Sequence, residues 1–297
     1  MEEIRAITDK YDAEYVEGEL SNLDGLNRLA LTFFKDVTAI YDCITRIRNT
    51  VRNPSGFSLD DAPILGLLVK VWKLMKEVIR YYEDDNAEII SVLERPLIEA
   101  AVTASFLMGS DRKVIEDYRK CSYKDRLRIL RQLEAGSPFF ETKAGQRLLK
   151  SVREKLAIEK LQPTDFQAQK DNNWKLQGKT FYQIFSEVEH ADLYSVTYGM
   201  MSESIHGSWS ESLDWCLSSN TDGTYSSYPF HHSPDVRYIC PTLRFTNKPY
   251  RLWLQRIDAY DDNLAEVLNW VERVNTAFFR KFDALYDGHE IQLNPEP

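Results

Sequence analysis

Apolar residues recur at helical spacing along almost the whole chain, and this period limits the possible folds more than any single motif does. From Asp24 to Arg52 the stripe is Leu26, Leu29, Phe33, Val37, Ile40, Ile44 and Ile47, and "NPSG" then ends it. Steps of three and four place these side chains on one face of an α-helix, and that face has to be buried against another element. A second helix is predicted from about Asp60, an N-cap candidate with Pro63 in the first turn, to Tyr82. A third covers "NAEIISVLERPLIEAAVTASFLMG", where Pro96 predicts a kink or a helix start. Four more follow: from Ser110 and Asp111 to about Glu134, from Thr142 to Lys160, from Lys179 to His206, and from Leu252 to Leu285.

Residues 207–250 lack this period. They are rich in Ser, Pro, Tyr and His, and read as an irregular insertion. Trp209, Trp215, Tyr225, Tyr228, Phe230 and Tyr238 are too apolar for it to float, so it should be ordered and lie over the mouth of any site near His206. No strand–helix alternation appears. The expected fold is all-α: a bundle of about seven long, mostly antiparallel helices with one irregular aromatic-rich insertion. No Pro- or Gly-rich linker divides it, so residues 1–297 read as a single helical domain, with a helical core over 24–206, the insertion over 207–250 and a long C-terminal helix over 251–286.

The net charge of −9 argues against a protein that coats nucleic acid through its overall field, while leaving room for a local basic patch. The start "MEEIRAITDKYDAEYVEGEL" reads as no secretory signal, and no apolar run approaches the ~18 residues of a membrane span. Cys43, Cys121, Cys216 and Cys240 are scattered without framework spacing. A cytoplasmic protein without a membrane partner is expected.

The stretch richest in chemistry is "YSVTYGMMSESIHGSW", residues 194–209. His190, Tyr194, Tyr198, Ser202 and His206 recur every four residues and form one oblique ridge on a helix, with Gly207 placed as a C-terminal cap. Such ridges pack into the grooves of a neighbouring helix, and buried hydroxyls and imidazoles need partners. In "ERPLIEA" of the otherwise apolar third helix, Arg95 and Glu99 lie four residues apart on one face. They either pair with each other or meet the ridge inside the bundle.

With "ERPLIEA", "DRKVIEDYRK", "WKLQGKTFYQIF" and "YSVTYGMMSESIHGSW" in sequence, the chain resembles an uncharacterised, widespread bacterial family, domain of unknown function 5677, over roughly Ile89 to Trp209. Its members are similar through an Arg-x-x-x-Glu helix and a later Tyr-x-x-x-Ser-x-x-x-His-Gly segment. The resemblance implies an α-helical fold and brings no established activity.

In a functional reading, His206 is a general acid or base near neutral pH, Arg95 steadies an anionic transition state, and Glu99 orients Arg95 or the imidazole. Ser202, one turn from His206, and Tyr198 complete the candidate catalytic set. The structural alternative is a polar network that fixes helix register. Many helical toxins and antiphage effectors resemble the higher-eukaryote-and-prokaryote nucleotide-binding domain, a metal-independent RNase with an Arg four to six residues before a His on one helix. No His of this chain has an Arg in that position, so an RNase reading must recruit Arg95 from another helix. Candidate ligand-binding residues are Tyr194 and Trp209, with Arg112, Arg119 and Lys120 of a locally basic helix that could equally be a solvated face. Cys216, His231, His232 and Cys240 offer zinc-type ligands, but no close pair nucleates a site, so neither a metal nor a cofactor is expected. Together these point to a prokaryotic defence- or stress-associated effector that acts on or senses a phosphate-bearing ligand, RNA or a nucleotide, a metal-independent nuclease being one form. The alternative is a non-catalytic module for a protein partner or a homodimer.

Overall fold

The computed structural model describes residues 6–18, 20–162, 164–165 and 175–287. Twelve α-helices run through the described residues, and a single two-stranded hairpin is the only sheet among them. In chain order they are α1 (Ala13–Gly18), α2 (Leu23–Arg46), α3 (Ala62–Glu83), α4 (Ala87–Met108), α5 (Arg112–Cys121), α6 (Lys124–Glu134), α7 (Lys143–Ile158), α8 (Phe181–Val188), α9 (Glu203–His206), α10 (Trp209–Trp215), α11 (Val236–Arg256) and α12 (Asp262–Asp287). A five-residue π-helix, Ser195–Gly199, precedes α9, and the hairpin pairs β1 (Leu217–Ser219) with β2 (Tyr225–Ser227). The all-α expectation holds. No helix among the described residues is long and apolar enough to cross a membrane.

Local chemistry starts the helices where the sequence supplies an oxygen acceptor. Asn22 accepts from the Gly25 amide at 2.8 Å to open α2, Asp111 accepts from Val114 at 3.1 Å to open α5, and Thr142 accepts from Gly145 at 3.0 Å to open α7. Pro96 starts nothing: α4 runs through it. Asp61, not Asp60, precedes α3, and its carboxylate accepts from Arg256 Nε at 2.7 Å instead of capping.

Helices divide more often than the periodicity suggests, and they form two compact units. One contains residues up to Met108 and from Phe185 onward; the other is Gly109–Ile184. In the second unit, the predicted helix from Ser110 to Glu134 breaks at Ser122–Tyr123 into α5 and α6. Leu127, Val152 and Leu156 form its buried cluster, with Tyr123, Ile129, Leu130 and Leu161 packed against it.

In the first unit α4 packs against α3, α11, α9 and the π-helix. Tyr250 of α11 stacks on Tyr41 of α2 with ring centroids 3.9 Å apart and donates to the Leu68 carbonyl of α3 at 2.9 Å, so one phenol joins three helices. Trp253 and Phe278 are fully buried beside this junction's helices.

Two sequence expectations need correction here. The irregular insertion is not 207–250: Val236–Arg256 is a helix despite Pro241 and Pro249. Its buried face is Val236, Ile239, Leu243, Asn247, Tyr250 and Leu254, an ordinary helical stripe interrupted by polar Thr and Asn that disguise it. Thr242 pairs within the helix by donating to the Tyr238 carbonyl at 3.0 Å, and Asn247 donates to the Leu268 carbonyl of α12 at 2.9 Å. Each proline withdraws one amide donor, a cost that burial of this face offsets. Nor is 251–286 one helix. Asp258 adopts φ 54°, and Asp261 accepts from the Leu264 amide at 2.8 Å, so one helix ends and another starts within five residues.

One carboxyl lies in this core. Glu94 of α4 is 4% exposed, with the Thr242 hydroxyl at 3.3 Å. Burial pushes its pKa up to about 8, against the opposing effect of that hydroxyl. A carboxyl raised in the folded state binds a proton that the unfolded chain releases near pH 4.5. Stability should therefore fall as pH rises from about 4.5 toward 8, by an amount on the order of 5 kcal/mol. Glu94→Gln should match the wild type near pH 4.5 and exceed it at pH 8.5. Urea melts at the two pH values check this, and parallel profiles would show that Glu94 does not titrate in this range.

Candidate functional site

Because α4 is enclosed by other helices, its residues divide sharply by direction. Glu94 points into the core, Arg95 is half-buried, and Glu99, one turn on, is exposed. Facing them is the Leu193–His206 segment, whose middle turn is the π-helix. In a regular α-helix, steps of four drift by ~40°. The wider π-turn rotates less per residue and counters that drift, which helps keep Tyr194, Tyr198 and His206 on the α4 side. His190 leaves the row: it lies in the preceding turn, 3.3 Å from Asp192. Gly207 adopts the left-handed conformation (φ 59°, ψ 50°) and ends α9 directly after His206.

Arg95 links the two segments. Its Nη1 donates to His206 Nε2 at 3.3 Å and its Nη2 donates to the Tyr198 hydroxyl at 3.2 Å, while the guanidinium lies 4.8 Å from the centre of the Tyr198 ring. The Tyr198 hydroxyl in turn donates to Glu99 Oε2 at 3.4 Å. Arg95 and Glu99 are thus joined through a phenol from the other segment. Tyr198 is 7% exposed, and burial, then the Glu99 carboxylate, raise its pKa against the lowering pull of Arg95. Tyr194 meets Phe185 edge-on (5.4 Å) and Tyr198 at a tilt (5.3 Å), and its pKa is raised mainly by burial, lowered by Arg95 and raised by Glu99.

Of the candidate catalytic residues, Arg95, Glu99, Tyr198 and His206 meet. Ser202 does not engage the imidazole: its hydroxyl donates to the Tyr198 carbonyl at 2.8 Å, so its proton is committed to its own helix. The cluster opens to solvent, since His206 and Glu99 are both exposed. Trp209 is 63% exposed and meets Tyr225 of the hairpin edge-on at 5.8 Å.

Arg112, Arg119 and Lys120 belong to the other compact unit. There Arg119 donates to Glu159 through Nε at 2.9 Å and again through Nη2, Lys120 pairs with Glu116 at 2.7 Å, and Arg112 is exposed.

The zinc-type residues have other roles. The Cys240 thiol is buried and donates to the Asn275 carbonyl at 3.6 Å, and Cys216 is exposed. His231 and His232 both approach Glu88, at 3.5 and 3.4 Å, and the His232 ring lies against Trp215 and Tyr228. No cluster of metal-ligating side chains occurs among the described residues. The insertion is folded, and it anchors on Glu88, seven residues before Arg95 and so ~10 Å away along α4. The anchor therefore lies at the start of α4, away from the mouth of the cluster.

Sequence reasoning missed Glu94 and Glu88. The signal for Glu94 was its place in the row Ala87, Ile90, Glu94, Leu97, Ala101, a buried face interrupted by one acid. Glu88 carried no such signal, because its partners lie 143 and 144 residues later in sequence.

Because Glu99 is exposed and reaches Arg95 only through Tyr198, Glu99→Ala should lower stability by only about 1 kcal/mol, as for a solvent-screened pair. A loss nearer ~4 kcal/mol in a urea melt would instead mark a sealed structural network.

Comparison with known proteins gives one result. A protein-family model, described as a family of unknown function, matches residues 61–224, more than half of the chain and the whole Arg95–His206 cluster. No curated protein and no solved structure matches.

Proposed function

The chain belongs to that family of unknown function, DUF5677, and on this premise we propose that it binds a phosphate-bearing ligand, RNA or a nucleotide, at the Arg95–Tyr198–His206 cluster. The observation that carries this reading is the Arg95–His206 contact at 3.3 Å, made at a position open to solvent. A guanidinium and an imidazole side by side present several N–H donors to adjacent oxygens of one anion. Stacking on Tyr198 fixes the guanidinium plane in advance, which reduces the ordering cost on binding. Tyr194 and Trp209 supply aromatic faces of the kind on which bases stack.

Read as an enzyme, the same set supports metal-independent RNA cleavage. Once a bound phosphate draws Arg95 off Nε2, His206 would take the proton of a ribose 2′-hydroxyl, whose oxygen attacks phosphorus, and would return that proton to the departing 5′-oxygen. Arg95 would hold the charge that develops on the phosphoryl oxygens, with Tyr198 and Glu99 positioning Arg95. Here Arg95 comes from a helix other than that of His206. In cellular terms this is a prokaryotic defence- or stress-associated effector, a role taken by analogy from its helical architecture and site residues.

A second reading has an observation of its own. Val196, Met200 and Ile205 are 61, 65 and 44% exposed on the segment that bears His206, and Trp209, at the start of α10, is 63% exposed. Apolar exposure of this kind fits an interaction module whose partner is a protein or a second copy.

Thermal melts with short RNA and with nucleotides separate the two. The wild type should be stabilised by about 2.7 kcal/mol at a hundred times the dissociation constant. His206→Ala and Arg95→Ala should lose that shift while melting cooperatively. No shift with either ligand, together with a stable dimer in sedimentation, would overturn the first reading in favour of the second.

A further inference from the structure

A second polar recess lies between α11 and α12, outside the residues matched by the family model and apart from the Arg95 cluster. It encloses about 300 Å³ and is lined by Arg244, Lys248, Arg251, Asn247, Glu272 and Asn275, among others. The volume is at the small end of the range for ligand pockets. Arg244, Lys248 and Arg251 stand four and then three residues apart, so one face of α11 presents all three cations to the same space. Such a concentration needs a reason in a protein of net charge −9.

Structural pairing accounts for only part of it. Glu189, whose side chain is 5% exposed, takes both Arg244 (3.4 Å) and Lys248 (3.3 Å), and Lys248 also donates to the Val188 carbonyl. Two cations thus share one carboxylate, and Arg244 remains 53% exposed. Arg251 is oriented by two neutral groups, donating to Asn269 at 2.8 Å and to the Tyr260 hydroxyl at 3.1 Å, with Glu272 at 3.6 Å. At the recess, Asn275 is 8% exposed; its Nδ2 donates to the Cys240 carbonyl at 3.0 Å, and its Oδ1 has no hydrogen-bond partner. Three oriented cations facing two carboxylates leave the recess electropositive within an acidic molecule.

We infer that this recess is a binding site for a small phosphorylated ligand, held by Arg244, Lys248 and Arg251 and competing with Glu189 for the first two. Polyphosphate oxygens match such a set because the arginines can each offer paired donors and the lysine a point charge. The volume suits a mononucleotide or smaller phosphate ester, not a polymer threaded through it. The inference does not rest on the function proposed for the Arg95 cluster.

Isothermal titration of the full chain with inorganic pyrophosphate at low ionic strength tests it. The wild type should bind saturably. The double variant Arg244→Gln/Lys248→Gln should lose at least tenfold in affinity, and Arg95→Gln should retain this binding, which separates the recess from the other site. Glu189→Gln should bind several-fold more tightly, because the competing carboxylate is gone while its shape remains. That result would not follow if the cations were only structural. Should the double variant melt without cooperativity, Arg251→Gln and Glu189→Gln carry the test. No saturable heat in the wild type, or unchanged affinity in folded recess variants, would overturn the inference. Binding lost in Arg95→Gln alone would also overturn it, by assigning the anion to the Arg95 cluster.

Discussion

A helix that is apolar around most of its circumference has to be enclosed, and α4 imposes that constraint on the larger unit. Ile90, Leu97, Ile98, Ala101 and Leu107 are all sealed, and α3, α11 and the Leu193–His206 segment pack around them. Each polar residue of α4 must then find a partner at the depth where the helix places it. Glu94, at the bottom, has one hydroxyl and holds its proton; Arg95, at mid-depth, has an imidazole, a phenol and an aromatic face; Glu99, at the surface, keeps water. Three charged residues within six positions acquire three different chemistries from one gradient of burial.

The same enclosure explains why the candidate site is preorganised yet open. The Tyr198 ring is packed against Tyr194, which is packed against Phe185, and Phe185 lies 5.8 Å from Phe245 of α11. This aromatic chain fixes the plane on which the Arg95 guanidinium rests, and the guanidinium carries the imidazole at its outer edge. Only the last groups of the relay face solvent. α11 also borders the recess between α11 and α12, and its Arg244 and Lys248 grip Glu189 four residues before Leu193. The turn leading into the site is therefore held by the cations of that recess, so the two polar regions of the larger unit share a mechanical neighbour.

Much of this was legible from residue order. The stripes of α3 and α4 gave their positions within a few residues, α2 begins where its stripe does but ends at Arg46, six residues before the expected Arg52, and Asp111 and Thr142 cap as their chemistry requires. The four-residue row from Tyr194 to His206, set beside Arg95 and Glu99, was enough to bring the cluster together on paper. Where reading failed, particular residues explain why. Thr242, Thr246 and Asn247 carry α11's buried face on side chains that satisfy their polar atoms internally, so burial there does not look hydrophobic. Asp258 and Asp261 divide the C-terminal helices through one left-handed residue and one cap, features that a long apolar stripe passes over. Ser202 lost its place in the chemistry because its nearest acceptor is a carbonyl of its own helix, something that spacing alone cannot rank.

By itself, then, the sequence determined the class of fold, the enclosed helix and the residue types that share its open edge, because helical period and burial are local, repetitive signals. The tertiary structure alone decided direction and depth: that Glu94 turns inward while Arg95 reaches His206, that Tyr198 stands between Arg95 and Glu99, and that Glu88 anchors His231 and His232. It also gathered Arg244, Lys248 and Arg251 around one recess with residues of α12. These relations join residues that are mostly tens to more than a hundred positions apart. They depend on which faces meet once the backbone has packed, and no pattern along a single helix contains that choice.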